Sequence, residues 1–237
     1  MTVITLSRQL GSHGREVADE VARVLNLRLI DAETINRAAQ QAGVPQRALA
    51  ELEHEGGQSL ASRVLKALRT MPALSPGGEV SSAQAEAPSL TLPFVGLFSP
   101  TVSPLSASLE SDVRVVGLVV QGLAKEGNVL VVGRGSQVLL KKHTGAFHVQ
   151  IVAPMPDRVK TVMVRYKLDK KAAESRVRAS DRGRADYLRR YHGVNWLDPT
   201  LYHLIINTGR LPVAAAVDLI VQASQAMMVP GGKASGD

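Results

Sequence analysis

The residues best suited to chemistry form a short run near the start of the chain, Gly11-Ser12-His13-Gly14-Arg15-Glu16. Two glycines let backbone amides turn toward one point, and a histidine and an arginine add donors beside them. The run follows the apolar Val3 to Leu6 and precedes Val17, Ala18, Val21, Ala22, Val24 and Leu25 at helical spacing. Strand, glycine loop and helix in that order suit an anion, because the free amides of the first helical turn face the loop and the macrodipole adds partial positive charge. A Gly-rich turn joining the first strand and helix of any α/β domain has the same order of parts. Against the pattern G-x-x-x-x-G-K-[ST], Gly14 fills the second glycine, while Gln9, Arg15 and Glu16 replace the first glycine, the lysine and the hydroxyl residue.

Two further cationic elements lie downstream. Asn128 to Val132 reads as a central strand and delivers Gly133-Arg134-Gly135 at its carboxyl end, where ligands bind in open α/β sheets. A guanidinium between two glycines can reach a bound anion with little obstruction. Farther on, Arg176, Arg178, Arg182 and Arg184 crowd one segment, and from Arg158 to Gly193 twelve Lys or Arg stand against four Asp or Glu. That block, with an excess of eight positive charges, accounts for the whole chain's net charge of +7 and implies an anionic partner, although a solvated helical face would look the same. Guanidinium groups, loop amides and Mg²⁺ converging on one ligand are what phosphoryl transfer needs, since its transition state spreads charge over the moving phosphoryl oxygens.

Strand patterns at 3–6, 27–30, 128–132, 147–152 and 202–207 alternate with helical ones at 15–25, 32–42, 107–125, 153–166 and 212–227. Shorter helices are expected after Pro45 and over 59–70. The alternation predicts a parallel sheet covered on both faces. Asp31 and Asp169 are placed to cap helices, and Gly127 to stop one. From 71 to 106 the pattern dissolves into Pro, Ser, Gly and Ala around an apolar island at 90–98, which reads as a flexible insertion in one domain spanning 1–237. Residues 169–196 read as a lid-like basic segment and 229–237 as a disordered tail.

At 237 residues, 45% hydrophobic and with no cysteine, the chain suits a globular protein of a reducing compartment. It has no signal-like start and no run of membrane-spanning length, so a cytoplasmic location without membrane attachment is expected. Tyr187, Tyr191 and Trp196 near the arginines could stack on nucleic-acid bases, but packing of their own helix is the expected use, and nucleic acid is not the expected partner. The histidines show no metal-ligand spacing with one another.

The chain resembles the cytidylate kinase-like family of P-loop nucleoside monophosphate kinases. The resemblance rests on Ile4 to Glu16, Val131-Val132-Gly133-Arg134-Gly135, Ala153-Pro154 before Arg158, Asp181-Arg182-Gly183-Arg184, and Leu204-Ile205-Ile206-Asn207-Thr208. It implies a three-layer P-loop kinase-like fold with a five-stranded parallel sheet and an arginine-rich lid. It implies ATP and Mg²⁺ as the donor complex and a nucleoside monophosphate, CMP or dCMP, as acceptor. Gly11, Ser12, His13, Gly14, Arg15 and Glu16 would cradle the ATP phosphates, with Arg158 beside them and Glu16 as a possible metal ligand. Arg134, Asp181 and Arg184 would bind the acceptor, and Arg15, Arg178 and Arg184 would act on the transferring group. Gly135 departs from the aspartate of cytidylate kinases, which bears on cytosine selectivity. A catalytically weak nucleotide-binding sensor is the alternative that the altered loop residues favour.

Overall fold

The computed structural model describes residues 1–31, 33–35, 66, 69–70 and 106–228. In chain order its elements are β1 (Val3–Arg8), α1 (Gly14–Val24), β2 (Arg28–Ile30), α2 (Ser106–Glu126), β3 (Val129–Val132) and α3 (Ser136–Leu139). They continue with β4 (Ala146–Val152), α4 (Met155–Tyr166), α5 (Lys170–His192), a 3₁₀ turn (Pro199–Leu201), β5 (Leu204–Asn207) and α6 (Val213–Met228). The 71–106 insertion, except helical Ser106, lies outside the described residues, as do the 229–237 tail and most of the helices expected over 32–70.

All five strands are parallel, in the order β2-β3-β1-β4-β5. Every strand is followed by a return segment, because parallel neighbours cannot be joined by a hairpin. The near-continuous aliphatic runs of β1 and β3 are those of strands covered on both faces.

Alternation along the strands gives the two faces different linings. Ile4, Leu6, Leu130, Val132, Val149 and Ile151 point to one face and pack against Val17, Ala18 and Val21 of α1 and Ala216, Val217 and Ile220 of α6. The other face carries Thr5, Ser7, His148 and Gln150, all buried, and is covered in part by α2, whose Val116, Val119, Val120 and Leu123 are buried. Polar side chains buried there are satisfied by one another, as they must be to avoid the cost of an unmade hydrogen bond. The Thr5 hydroxyl and His148 Nδ1 lie 2.8 Å apart. Trp196 Nε1 donates to Ser7 Oγ at 2.9 Å, and Tyr202 Oη and Gln150 Nε2 donate to the Trp196 carbonyl at 2.9 and 3.3 Å.

The expected caps are present. Asp31 accepts from the Thr34 amide at 2.8 Å, Asp169 from the Ala172 amide at 2.8 Å, and Gly127 closes α2 in the left-handed region with φ of 70°. The basic segment forms one 23-residue helix, α5. Its first half packs on α4 through Ala173 and Val177 against Val159 and Val162. Its last turns join the body through Tyr187 and Leu188, which cluster with Trp196. No described helix is long and apolar enough to cross a membrane.

Candidate active site

Pairing of β1 with β3, Leu6 opposite Val132, sets the loops at their carboxyl ends side by side. The loop after β1 is tied down at several points. Gln9 donates its amide to the Ile151 carbonyl and accepts from the Ala153 amide through Oε1, both at 3.0 Å. The Ser12 hydroxyl donates to the carbonyls of Gln9 and Ile151, and Thr208 Oγ1 donates to the Ser12 carbonyl at 2.8 Å. Gln9, standing in the first-glycine position, is therefore a strut between the loop and β4. The Ser12 side chain is turned into the scaffold.

Gly11 has φ of 82°, and a Cβ there would lie 2.5 Å from the Arg158 carbonyl, so the loop can lie against α4 only with glycine at this position. His13 caps α1 in the left-handed region at φ 56°, a conformation that costs a residue with a Cβ and concentrates at functional sites. The first intrahelical acceptor is the His13 carbonyl, taken by the Val17 amide at 3.0 Å. The amides of Gly14, Arg15 and Glu16 thus form the open first turn of a helix, the cradle an anionic ligand requires. Glu16 is the loop's own carboxylate, half exposed and 3.8 Å from His13 Nδ1. No group of three metal-ligating side chains occurs among the described residues.

Beside the loop, Arg8, Arg134 and Arg184 line one cleft together with Gln137, Tyr187 and Trp196. Arg134 is buried, in the left-handed region at φ 60° between Gly133 and Gly135. Arg184, from α5, bonds the Ser180 hydroxyl and lies over the Trp196 ring, with its guanidinium carbon 5.8 Å from the centroid. Burial lowers its pKa; the nearby Asp181 opposes that, and Arg158 adds to it. Burial, reinforced by Arg184, Arg15 and Arg134 and opposed by Asp31, pushes the Arg8 pKa down to about 9.

Residues expected at the site thus separate. Gly11, Gly14, Arg134, Arg158, Asp181 and Arg184 come together around the loop and the cleft. Arg158 is 4% exposed and pairs with Asp181 at 2.9 Å, so these two hold α4 to α5. Arg15 turns outward instead: Nε meets Asp19 at 3.1 Å and Nη1 meets Asp31 at 2.5 Å. Burial raises the Asp31 carboxyl, but the Thr34 amide and hydroxyl and the Arg15 guanidinium outweigh it and hold it below the ordinary range. Arg178 stands in solvent, paired with Glu174 at 2.7 Å, and is not part of the cleft. Tyr187 and Trp196 are buried rather than presented for stacking.

Sequence reasoning passed over Arg8 and Gln137. A basic residue at the carboxyl end of a strand that opens a glycine loop was a usable signal for Arg8. Nothing local marks Gln137, whose Nε2 donates to Tyr202 Oη at 3.4 Å across the polar layer.

Residues 3–210 match the model of the cytidylate kinase-like family. A structure of an uncharacterized protein from Eubacterium ventriosum superposes with a TM-score of 0.60 at 18% identity, covering 95% of this chain and 99% of that one. Shikimate kinase from Acinetobacter baumannii, solved with shikimate, aligns over 97% of this chain and 96% of its own at 15% identity and a TM-score of 0.42. A uronate isomerase of Corynebacterium glutamicum is 31% identical over 97 residues, which span 41% of this chain but only 18% of that protein. With a five-stranded parallel sheet, a helix-capping glycine loop after β1 and a family match over most of its length, the chain belongs to the cytidylate kinase-like family.

Proposed function

We propose that the protein transfers a phosphoryl group from ATP to a nucleoside monophosphate, with CMP or dCMP as the preferred acceptor. The observation that carries the reading is the meeting of an open helix N-terminus with buried Arg134 at the tip of β3 and with half-buried Arg184 of α5 beside the carboxyl ends of β1 and β3. The amides of Gly14, Arg15 and Glu16 receive the donor phosphates, and Arg134 receives the acceptor phosphate. Arg184, held by Ser180 and Trp196, neutralises charge that develops on the group in flight. Asp181 is bonded to Arg158 and acts on Arg184 by charge, which sets the position of the α5 arginines.

The donor set at the loop suits Mg²⁺ carried in with the nucleotide, since that ion keeps several waters and needs only one or two carboxylates besides phosphate oxygens. Glu16 is the carboxylate available for it. Bound Mg²⁺ supplies charge neutralisation between the donor phosphates.

The test is ADP formation from ATP and Mg²⁺ against a panel of nucleoside monophosphates, with ATP binding measured by calorimetry on the same preparation. Acceptor-dependent ADP formation, strongest with CMP or dCMP, is expected. ATP binding without turnover on any acceptor would make the protein a nucleotide-binding sensor, and absence of both would overturn the nucleotide reading.

A further inference from the structure

Arg8 ends the central strand β1, and two glycines from separate motifs make room for its side chain. A Cβ at Gly14, in the loop, would collide with Arg8 Cβ and lie 2.9 Å from Cγ. A Cβ at Gly133, at the tip of β3, would lie 2.6 Å from Arg8 Nη1. The side chain thus runs from beneath the phosphate loop to the strand-tip element, and its head lies in the cleft with Arg134 and Arg184. Among the described residues no carboxylate pairs with it. Asp31 acts on it only through space, being bonded to Arg15 and to Thr34. A partly buried cation beside two more is costly in the empty protein, and a multiply charged anion relieves that cost.

Arg15 shows the opposite state. Its guanidinium is committed to Asp19 and Asp31, its side chain is 45% exposed, and it ties α1 to the end of β2. We propose that Arg8, rather than Arg15, is the cation that this phosphate loop presents to a bound polyphosphate, and that Arg15 is a strut holding the loop helix. The identity of the physiological anion rests on the phosphoryl-transfer reading above; the anion site itself does not.

The probe is inorganic pyrophosphate without metal, titrated by calorimetry into wild type, Arg8→Met, Arg8→Lys and Arg15→Met, with thermal unfolding followed on each. Arg8→Met is expected to weaken pyrophosphate at least about tenfold, the loss of one charge-assisted contact or more. Its unliganded Tm is expected to hold or rise by about 2–4 °C, because a crowded cation has been removed. Arg8→Lys should recover part of the affinity, and Arg15→Met should stay within about threefold of wild type while losing Tm. A selective loss in Arg15→Met, equal losses in both methionine variants, or no pyrophosphate binding by wild type would each overturn the proposal. Arg8-dependent pyrophosphate binding in a protein that makes no ADP would defeat the kinase reading and leave this one standing. ADP formation that Arg8→Met leaves intact would do the reverse.

Discussion

On one face of the sheet Ile4, Leu6, Leu130 and Val132 meet α1 and α6 through aliphatic surface alone, whereas on the other Thr5, Ser7, His148 and Gln150 are buried in hydrogen bonds. The same strands supply both, by alternation. An aliphatic face tolerates many arrangements of similar volume, but a buried polar layer is stable only with its partners in place. That demand for geometry makes the second face the one that can fix a site. Trp196, bonded to Ser7 on β1, holds the segment after α5 to the central strand and offers its ring to Arg184.

Breaking the aliphatic face should have the largest effect on stability. Leu130→Ala empties a fully buried position and is expected to cost about 2–5 kcal/mol in chemical denaturation, with activity per folded molecule unchanged.

The polar face should answer to pH where the aliphatic one does not. Burial, with His203 and His143 nearby, lowers the His148 pKa from 6.5 to about 4. Its neutral form is favoured by folding, so its contribution is complete above pH 6.5 and is lost as pH falls toward 4, where the unfolded chain binds the extra proton. The slope is at most about 1.4 kcal/mol per pH unit. Urea midpoints from pH 7 to 5 should fall accordingly, and His148→Asn should flatten the fall; an unchanged slope would contradict the assignment to this ring.

Trp196→Phe sharpens the contrast by keeping bulk and removing the donor to Ser7. It is expected to cost about 1–2 kcal/mol and to lower acceptor-dependent turnover, the combination that Leu130→Ala should not show. The smallest effect is expected outside both faces: Arg178→Ala removes an exposed pair with Glu174 and should change stability by less than about 0.5 kcal/mol.

The aliphatic face was the legible one. Val17, Ala18 and Val21 repeat at helical spacing, and the runs of β1 and β3 carry their own signal. Caps at Asp31 and Asp169 are local chemistry and could be read in place. The polar layer could not, because each bond joins residues distant in sequence: Ser7 with Trp196, Thr5 with His148, Gln137 with Tyr202. The site shows both cases. Arg15 occupies the lysine position of a familiar pattern, yet Asp19 one helical turn on was a readable partner that draws it outward. Arg8, at the end of a strand that opens a glycine loop, was readable as a candidate, but its reach to the strand-tip element shows only when β3 lies beside β1 and brings Gly133 to its guanidinium.

The central claim is that buried Arg134, at the tip of β3, receives the acceptor phosphate while the loop amides of α1 hold the donor. Steady-state kinetics on Arg134→Ala, with ATP binding followed separately by calorimetry, tests it most directly. The account predicts at least about a hundredfold loss in kcat/KM for the acceptor, on the order of 3 kcal/mol, with the Kd for ATP within about threefold of wild type. Equal losses for acceptor and ATP, or a variant that uses the acceptor as well as wild type does, would contradict it.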